Sequence, residues 1–158
     1  MIEMKGVFLG QTTLDIQFLL NTYPQQNKVT HSAERLLEIG GPATNASIVF
    51  SYLGGDSTLV TPLGKSFFSE WMRNKLKEYK VNHIDTNPNH EEVLSISTIL
   101  TTESDGNRTI ITKNYSNINH TIDIDSYDFS NISIILIDLT NINLALKLSE
   151  FGKKIIYQ

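Results

Sequence analysis

The segment Ile132–Leu139 is almost continuously apolar and rich in isoleucine. A short strand that is apolar on both faces belongs inside a parallel sheet covered on both sides. Parallel neighbours need crossover connections, usually helices, and the chain supplies them. Met4–Leu9 is a short apolar run ended by Gly10, read as a buried first strand. Gly40-Gly41-Pro42 opens a helix on which Ala46, Phe50 and Leu53 form one apolar stripe, and Gly54-Gly55 closes it. Ser57–Leu63 reads as a second buried strand. Ser66–Tyr79 reads as a second helix, with Ser66 at the N-cap and Phe68, Trp71, Met72, Leu76 and Tyr79 on its packed side. Phe67 is also assigned to helix packing. Asn141–Phe151 is a third helix, capped by Gly152, and Lys153–Tyr157 begins a further strand.

Two stretches break the strand–helix alternation. Ile16, Phe18 and Leu20 alternate with polar residues as in a half-exposed strand, and Tyr23-Pro24 marks the turn after it. Val93–Thr101 and Arg108–Lys113 flank Asp105-Gly106, a hairpin turn signal. The expected fold class is therefore α/β: a parallel sheet covered by helices, with a second small sheet lying off the main body.

Composition narrows the function classes. A formal net charge of −4 argues against a nucleic-acid partner. The absence of cysteine excludes disulfides, thiolate metal sites and a cysteine nucleophile, and fits a reducing cytoplasm, the expected compartment. No apolar run approaches the ~18–20 residues that span a bilayer, so no membrane partner is expected. His31, His83, His90 and His120 are isolated, which gives no metal-site spacing. Asp123, Asp125 and Asp128 lack the glycine and glutamate of a calcium loop and read as solvated carboxylates. The sequons at Asn45, Asn107, Asn114, Asn119 and Asn131 read as chance matches in an Asn-rich chain.

The most informative stretch is Gly40-Gly41-Pro42-Ala43-Thr44-Asn45-Ala46-Ser47. Glycines before a helix let backbone N–H groups approach a ligand closely. An asparagine in the first turn both donates and accepts, which suits a hydroxyl-rich ligand. No Gly-Lys-Ser/Thr follows, so the stretch is not a Walker A loop. With Leu53-Gly54-Gly55 and Gly64, it is similar to the N-terminal signature of ribokinase-like (PfkB-type) carbohydrate kinases. Val7–Gly10 followed by Asp15 resembles that family's first strand and sugar-contacting aspartate. Leu76–Val81 resembles its helix ending in L-x-x-x-G-V, with Lys80 in place of the glycine. Asp105–Ile110 resembles its G-x-R-T hairpin. Within the family the closest likeness is to ketohexokinase. The resemblance covers roughly residues 5–150.

What the resemblance implies is specific. The fold would be a three-layer α/β/α sandwich with a parallel central sheet and a small β-sheet lid, formed by segments about 12–39 and 92–114. Residues 1–158 would be the N-terminal part of one kinase domain. Asp15, Gly41 and Asn45 would bind the sugar, and Arg108 would lie near the nucleotide phosphates. ATP and Mg²⁺ would be the cofactors, and lid strands would pair two copies into a homodimer. Pro42 stands where ketohexokinases carry a sugar-binding asparagine, so fructose specificity does not follow. Thr13 replaces the asparagine of ribokinases, and Lys65 follows Gly64 where many members have aspartate.

The family's catalytic aspartate lies in a G-A-G-D motif of the C-terminal half, and no such motif occurs here. No catalytic residue is therefore assigned in this span, and the 158 residues alone are expected not to transfer phosphate. A half-domain would leave an apolar strand edge exposed and be poorly soluble by itself. The alternatives are a non-catalytic, sugar-binding remnant and a nucleoside kinase of the same fold.

Overall fold

The computed structural model describes residues 4–92, 95–113, 123–138, 141–151 and 155–157. The elements run in chain order as β1 (Lys5–Leu9), β2 (Thr13–Leu20), β3 (Glu34–Gly40), α1 (Pro42–Tyr52), β4 (Asp56–Thr61), α2 (Phe67–Glu78), β5 (Val81–Asp85), β6 (Ile96–Thr102), β7 (Arg108–Thr112), β8 (Ile134–Ile137), α3 (Ile142–Ser149) and β9 (Ile155–Tyr157), with a 3-10 turn at Ile124–Ser126 before β8.

β5-β4-β1-β8-β9 form one sheet, and every pairing in it is parallel. β1 lies at the centre, with Leu9 level with Val60 of β4 and Ile137 of β8. Alternation along β1 builds the layers. Val7 and Leu9 pack with Val60, Ile135, Ile137, Leu144 and Leu148, on the α3 face. Phe8 packs with Ala43, Leu59, Met72 and Leu76, on the face covered by α1 and α2. The apolar run noted in the sequence is thus β8, seated against the central strand.

Helix ends follow local chemistry. Ser66 Oγ accepts from the Ser69 N–H at 3.1 Å, and Ser69 Oγ donates to the Leu63 carbonyl at 2.6 Å. Asn141 Oδ1 caps α3 by accepting from Leu144 N–H at 2.8 Å. Pro42 occupies the first helical position of α1, where its missing N–H costs nothing.

β3-β2-β6-β7 form the second sheet. β2 pairs antiparallel with β3 and parallel with β6, and β6–β7 is the expected hairpin. At its turn Gly106 has φ 67°, and Asp105 Oδ1 accepts from Asn107 N–H at 3.1 Å.

Four details differ from the sequence reading. β5 is a strand that was not anticipated: Asn82, His83 and Asp85 interrupt its apolar pattern, and it needs only one partner at the sheet edge. The fully buried residues of α1 are Ala43, Thr44 and Ser47; Ala46 and Phe50 pack against the same core but are only partly buried, and Leu53 is exposed. Small residues there let the helix lie close to the sheet. Phe67 is 82% exposed, so it does not pack under α2. Phe151 lies just past α3 and is partly exposed, with its ring 5.7 Å from Phe129. Gly152, His120 and the sequons at Asn114 and Asn119 lie outside the described residues.

Candidate ligand-binding site

The carboxyl ends of β1, β4 and β8 and the start of α1 meet at a tightly built corner. Gly41 has φ 105°, a backbone conformation that favours glycine. A β-carbon there would also lie 2.1 Å from the Gln11 carbonyl oxygen. Gly10 is equally crowded: its β-carbon would fall 2.0 Å from Asp138 Oδ2 and 2.6 Å from the Ala43 side chain. Beneath the corner, three buried threonines hold the segments together. Thr12 N–H donates to Thr61 Oγ1 at 2.9 Å, and Thr12 Oγ1 shares hydrogen bonds with both Thr44 and Thr61 Oγ1 at 2.9 Å.

Asp15 lies on β2, level with Glu38 of β3 and Ser97 of β6. It is partly buried, and its carboxyl sits against Gly40, whose β-carbon would lie 2.1 Å from Oδ2. Burial raises its pKa above the ordinary carboxylate value. Among the described residues it forms no hydrogen bond or ion pair. A carboxylate left in this condition is an acceptor awaiting donors.

A groove of about 760 Å³ runs along α1 from this corner. Gly41, Asn45 and Arg108 all line it, so the structure brings three of the four sequence-assigned residues together. Asp15 is not in its lining and stands across the Gly40-Gly41 corner. Ala46, Phe50 and Leu53, the stripe read as core, form the groove wall together with Phe8 and Val49. Arg108 opens β7 and is the only charged side chain in that lining among the described residues. A guanidinium so placed suits phosphate oxygens.

Two residues of the corner were not singled out in the sequence. Gln11 N–H donates to Asp138 Oδ2 at 3.1 Å. Asp138 carried a signal, a carboxylate closing an otherwise apolar strand. Gln11 carried none. Among the described residues no three His, Asp or Glu side chains gather to hold a metal ion. No helix among them is long and apolar enough to cross a membrane.

Comparison with known proteins gives the family. A model of the pfkB family of carbohydrate kinases matches residues 5–151. No curated protein matches the sequence. Among solved structures, the ribokinase of Thermotoga maritima is 16% identical with a TM-score of 0.69, over 99% of this chain and 52% of its own. The ribokinase of Giardia lamblia is 15% identical with a TM-score of 0.74, over 94% of this chain and 49% of its own. The nucleoside kinase of Methanocaldococcus jannaschii is 18% identical with a TM-score of 0.63, over 97% and 51%. The chain spans about half the length of the solved structures it matches. Its fold is the ribokinase-like α/β fold, and the chain belongs to the pfkB family of carbohydrate kinases.

Proposed function

We propose that this chain is the sugar-binding part of an ATP-dependent carbohydrate kinase, which transfers the γ-phosphoryl group of ATP to a sugar hydroxyl. The observation that carries this reading is the partly buried Asp15 carboxylate, which has no hydrogen-bond or ion-pair partner among the described residues and is held against Gly40. Its two oxygens can accept from neighbouring hydroxyls. Gly41 lets the backbone approach the same ligand, and Asn45 offers it a donor and an acceptor. Arg108, across the groove, meets the phosphates of ATP. Mg²⁺ would accompany the nucleotide as the second cofactor. The catalytic base would come from the part of the family fold that residues 1–158 do not span.

β2, β3, β6 and β7 would act as a lid that excludes water during transfer. Leu36, Ile110 and Ile111 are exposed on these strands and would be covered by pairing with a second copy. The cytoplasm is the compartment that fits this chemistry. Ketohexokinase-like specificity is the finer proposal, and it places fructose among the substrates to try.

A nucleoside kinase is the second reading. The wall formed by Phe8, Val49, Phe50 and Leu53 is apolar enough to face a base. A panel of ribose, fructose, glucose and adenosine, tested with ATP on the full-length protein, separates the two. Turnover of adenosine alone would sink the sugar reading. Binding without turnover would support a non-catalytic sugar-binding remnant. Phosphoryl transfer by the isolated 158 residues would refute an external catalytic base.

A further inference from the structure

Gln11 stands at the carboxyl end of β1, and its backbone is fixed on two sides. Its N–H donates to Asp138 Oδ2 at 3.1 Å. Its carbonyl oxygen is the atom that Gly41 approaches too closely to carry a side chain. The side chain has no such support. Nε2 is buried and meets no hydrogen-bond acceptor among the described residues. Leaving a buried amide unpaired costs its full desolvation, and folded proteins seldom keep one without a use.

Asp15 has the opposite deficit, since it has acceptor oxygens and no donor among the described residues. Gly40 touches the Asp15 carboxyl and Gly41 touches the Gln11 backbone carbonyl, so the two residues flank one dipeptide. A single hydroxyl both donates and accepts, and a polyol carries several. The carboxyl ends of the strands are also where open α/β sheets place their ligands.

We infer that the Gln11 carboxamide is a specificity-determining contact: Nε2 donates a hydrogen bond to one oxygen of the bound sugar while Asp15 accepts from its hydroxyls. This rests on the carbohydrate-binding reading above. It adds a selection rule, because a sugar lacking that oxygen leaves Nε2 unpaired again.

The test is calorimetric binding of D-ribose, D-fructose, D-glucose and their monodeoxy analogues to the native protein, Gln11→Leu, Gln11→Glu and Asp15→Asn. The expected result is that at least one sugar binds and that Asp15→Asn abolishes its binding. Gln11→Leu should weaken it about tenfold. One monodeoxy analogue should bind native protein and Gln11→Leu equally, which identifies the contacted oxygen. Without sugar, Gln11→Leu should melt no lower than native, because it removes an unpaired buried donor. Gln11→Glu keeps the shape and replaces the donor by an acceptor. It should show the same loss of affinity even if the leucine variant fails to fold.

Equal affinities of native protein and both Gln11 variants, with Asp15→Asn still inactive in binding, would overturn the Gln11 assignment and leave the sugar site standing. A lowered melting point with a uniform loss across all analogues would make Gln11 structural and overturn it as well. No binding of any sugar, or binding indifferent to Asp15→Asn, would remove the carbohydrate reading and the Gln11 contact with it.

Discussion

Gly40 and Asp15 are in such close contact that a β-carbon on Gly40 would sit 2.1 Å from Asp15 Oδ2. The atom in the way is the end of a short side chain, so the carboxylate would yield before the backbone does. Gly40→Ala should therefore cost only about 1–3 kcal/mol of stability. It should weaken sugar binding about tenfold or more by displacing the acceptor. Calorimetry on the folded variant, beside a denaturant titration, checks both halves.

Burial also gives Asp15 a pH signature. Its folded-state pKa is raised, so between the ordinary value and the raised one the native state holds more protons than the unfolded chain. Stability contributed by this group is greatest at low pH and falls as pH rises through that window. Asp15→Asn should remove that slope and stabilise the protein at neutral pH. Sugar affinity should run the other way, falling as acidification protonates the acceptor. Urea melts and binding isotherms from pH 4 to 7 would show opposite trends if this is right. A flat binding profile would count against Asp15 as the acceptor.

Much of this was legible beforehand, and what was missed has physical causes. β1 and β8 are largely apolar runs, and the Asp105-Gly106 hairpin and the cap at Ser66 have short-range signals. β5 has none, because at a sheet edge a strand needs little apolar surface. The apolar stripe of α1 held for Ala46 and Phe50, which pack against the core, and failed at Leu53, because periodicity reports which residues share a face and not how far that face is covered. Ala43, Thr44 and Ser47 are the most deeply buried residues of α1, and small residues contribute little to an apolar pattern. Gln11 could not be found from sequence, since its interest lies in a hydrogen bond it lacks.

Lys80 occupies a left-handed conformation, with φ 56°, just after the α2 C-cap at Tyr79. For a residue with a β-carbon that conformation costs about 1–2 kcal/mol. Lys80→Gly should raise stability by about 0.5–1 kcal/mol, after allowing for glycine's greater freedom in the unfolded chain. Chemical denaturation should show the gain, while sugar affinity stays constant because Lys80 is remote from the corner.

Asp85 is the anchor of the β4–α2 connection. Its carboxylate accepts from Leu63 N–H at 3.0 Å, Gly64 N–H at 3.1 Å, Asn87 N–H at 2.9 Å and Arg73 at 2.7 Å. Arg73 also donates to the Gly64 carbonyl. Removing one partner of a largely buried pair strands the other, at about 3–5 kcal/mol. Asp85→Ala should lose about 3 kcal/mol, and Asp85→Asn less, because an amide oxygen still serves the backbone donors. Equilibrium unfolding in urea distinguishes the two.

β3 ends at Gly40 and α1 begins at Pro42, so a single residue joins the second sheet to the helix that carries Asn45. Proline fixes φ on one side of that joint, and β-pairing of Gly40 with Thr13 fixes the other. Rotation about Gly41 is the freedom left between them. Were the four strands to swing as the proposed lid, this joint would carry the movement to the first turn of α1. In such a lid, opening the cover and loosening the seat would be one movement.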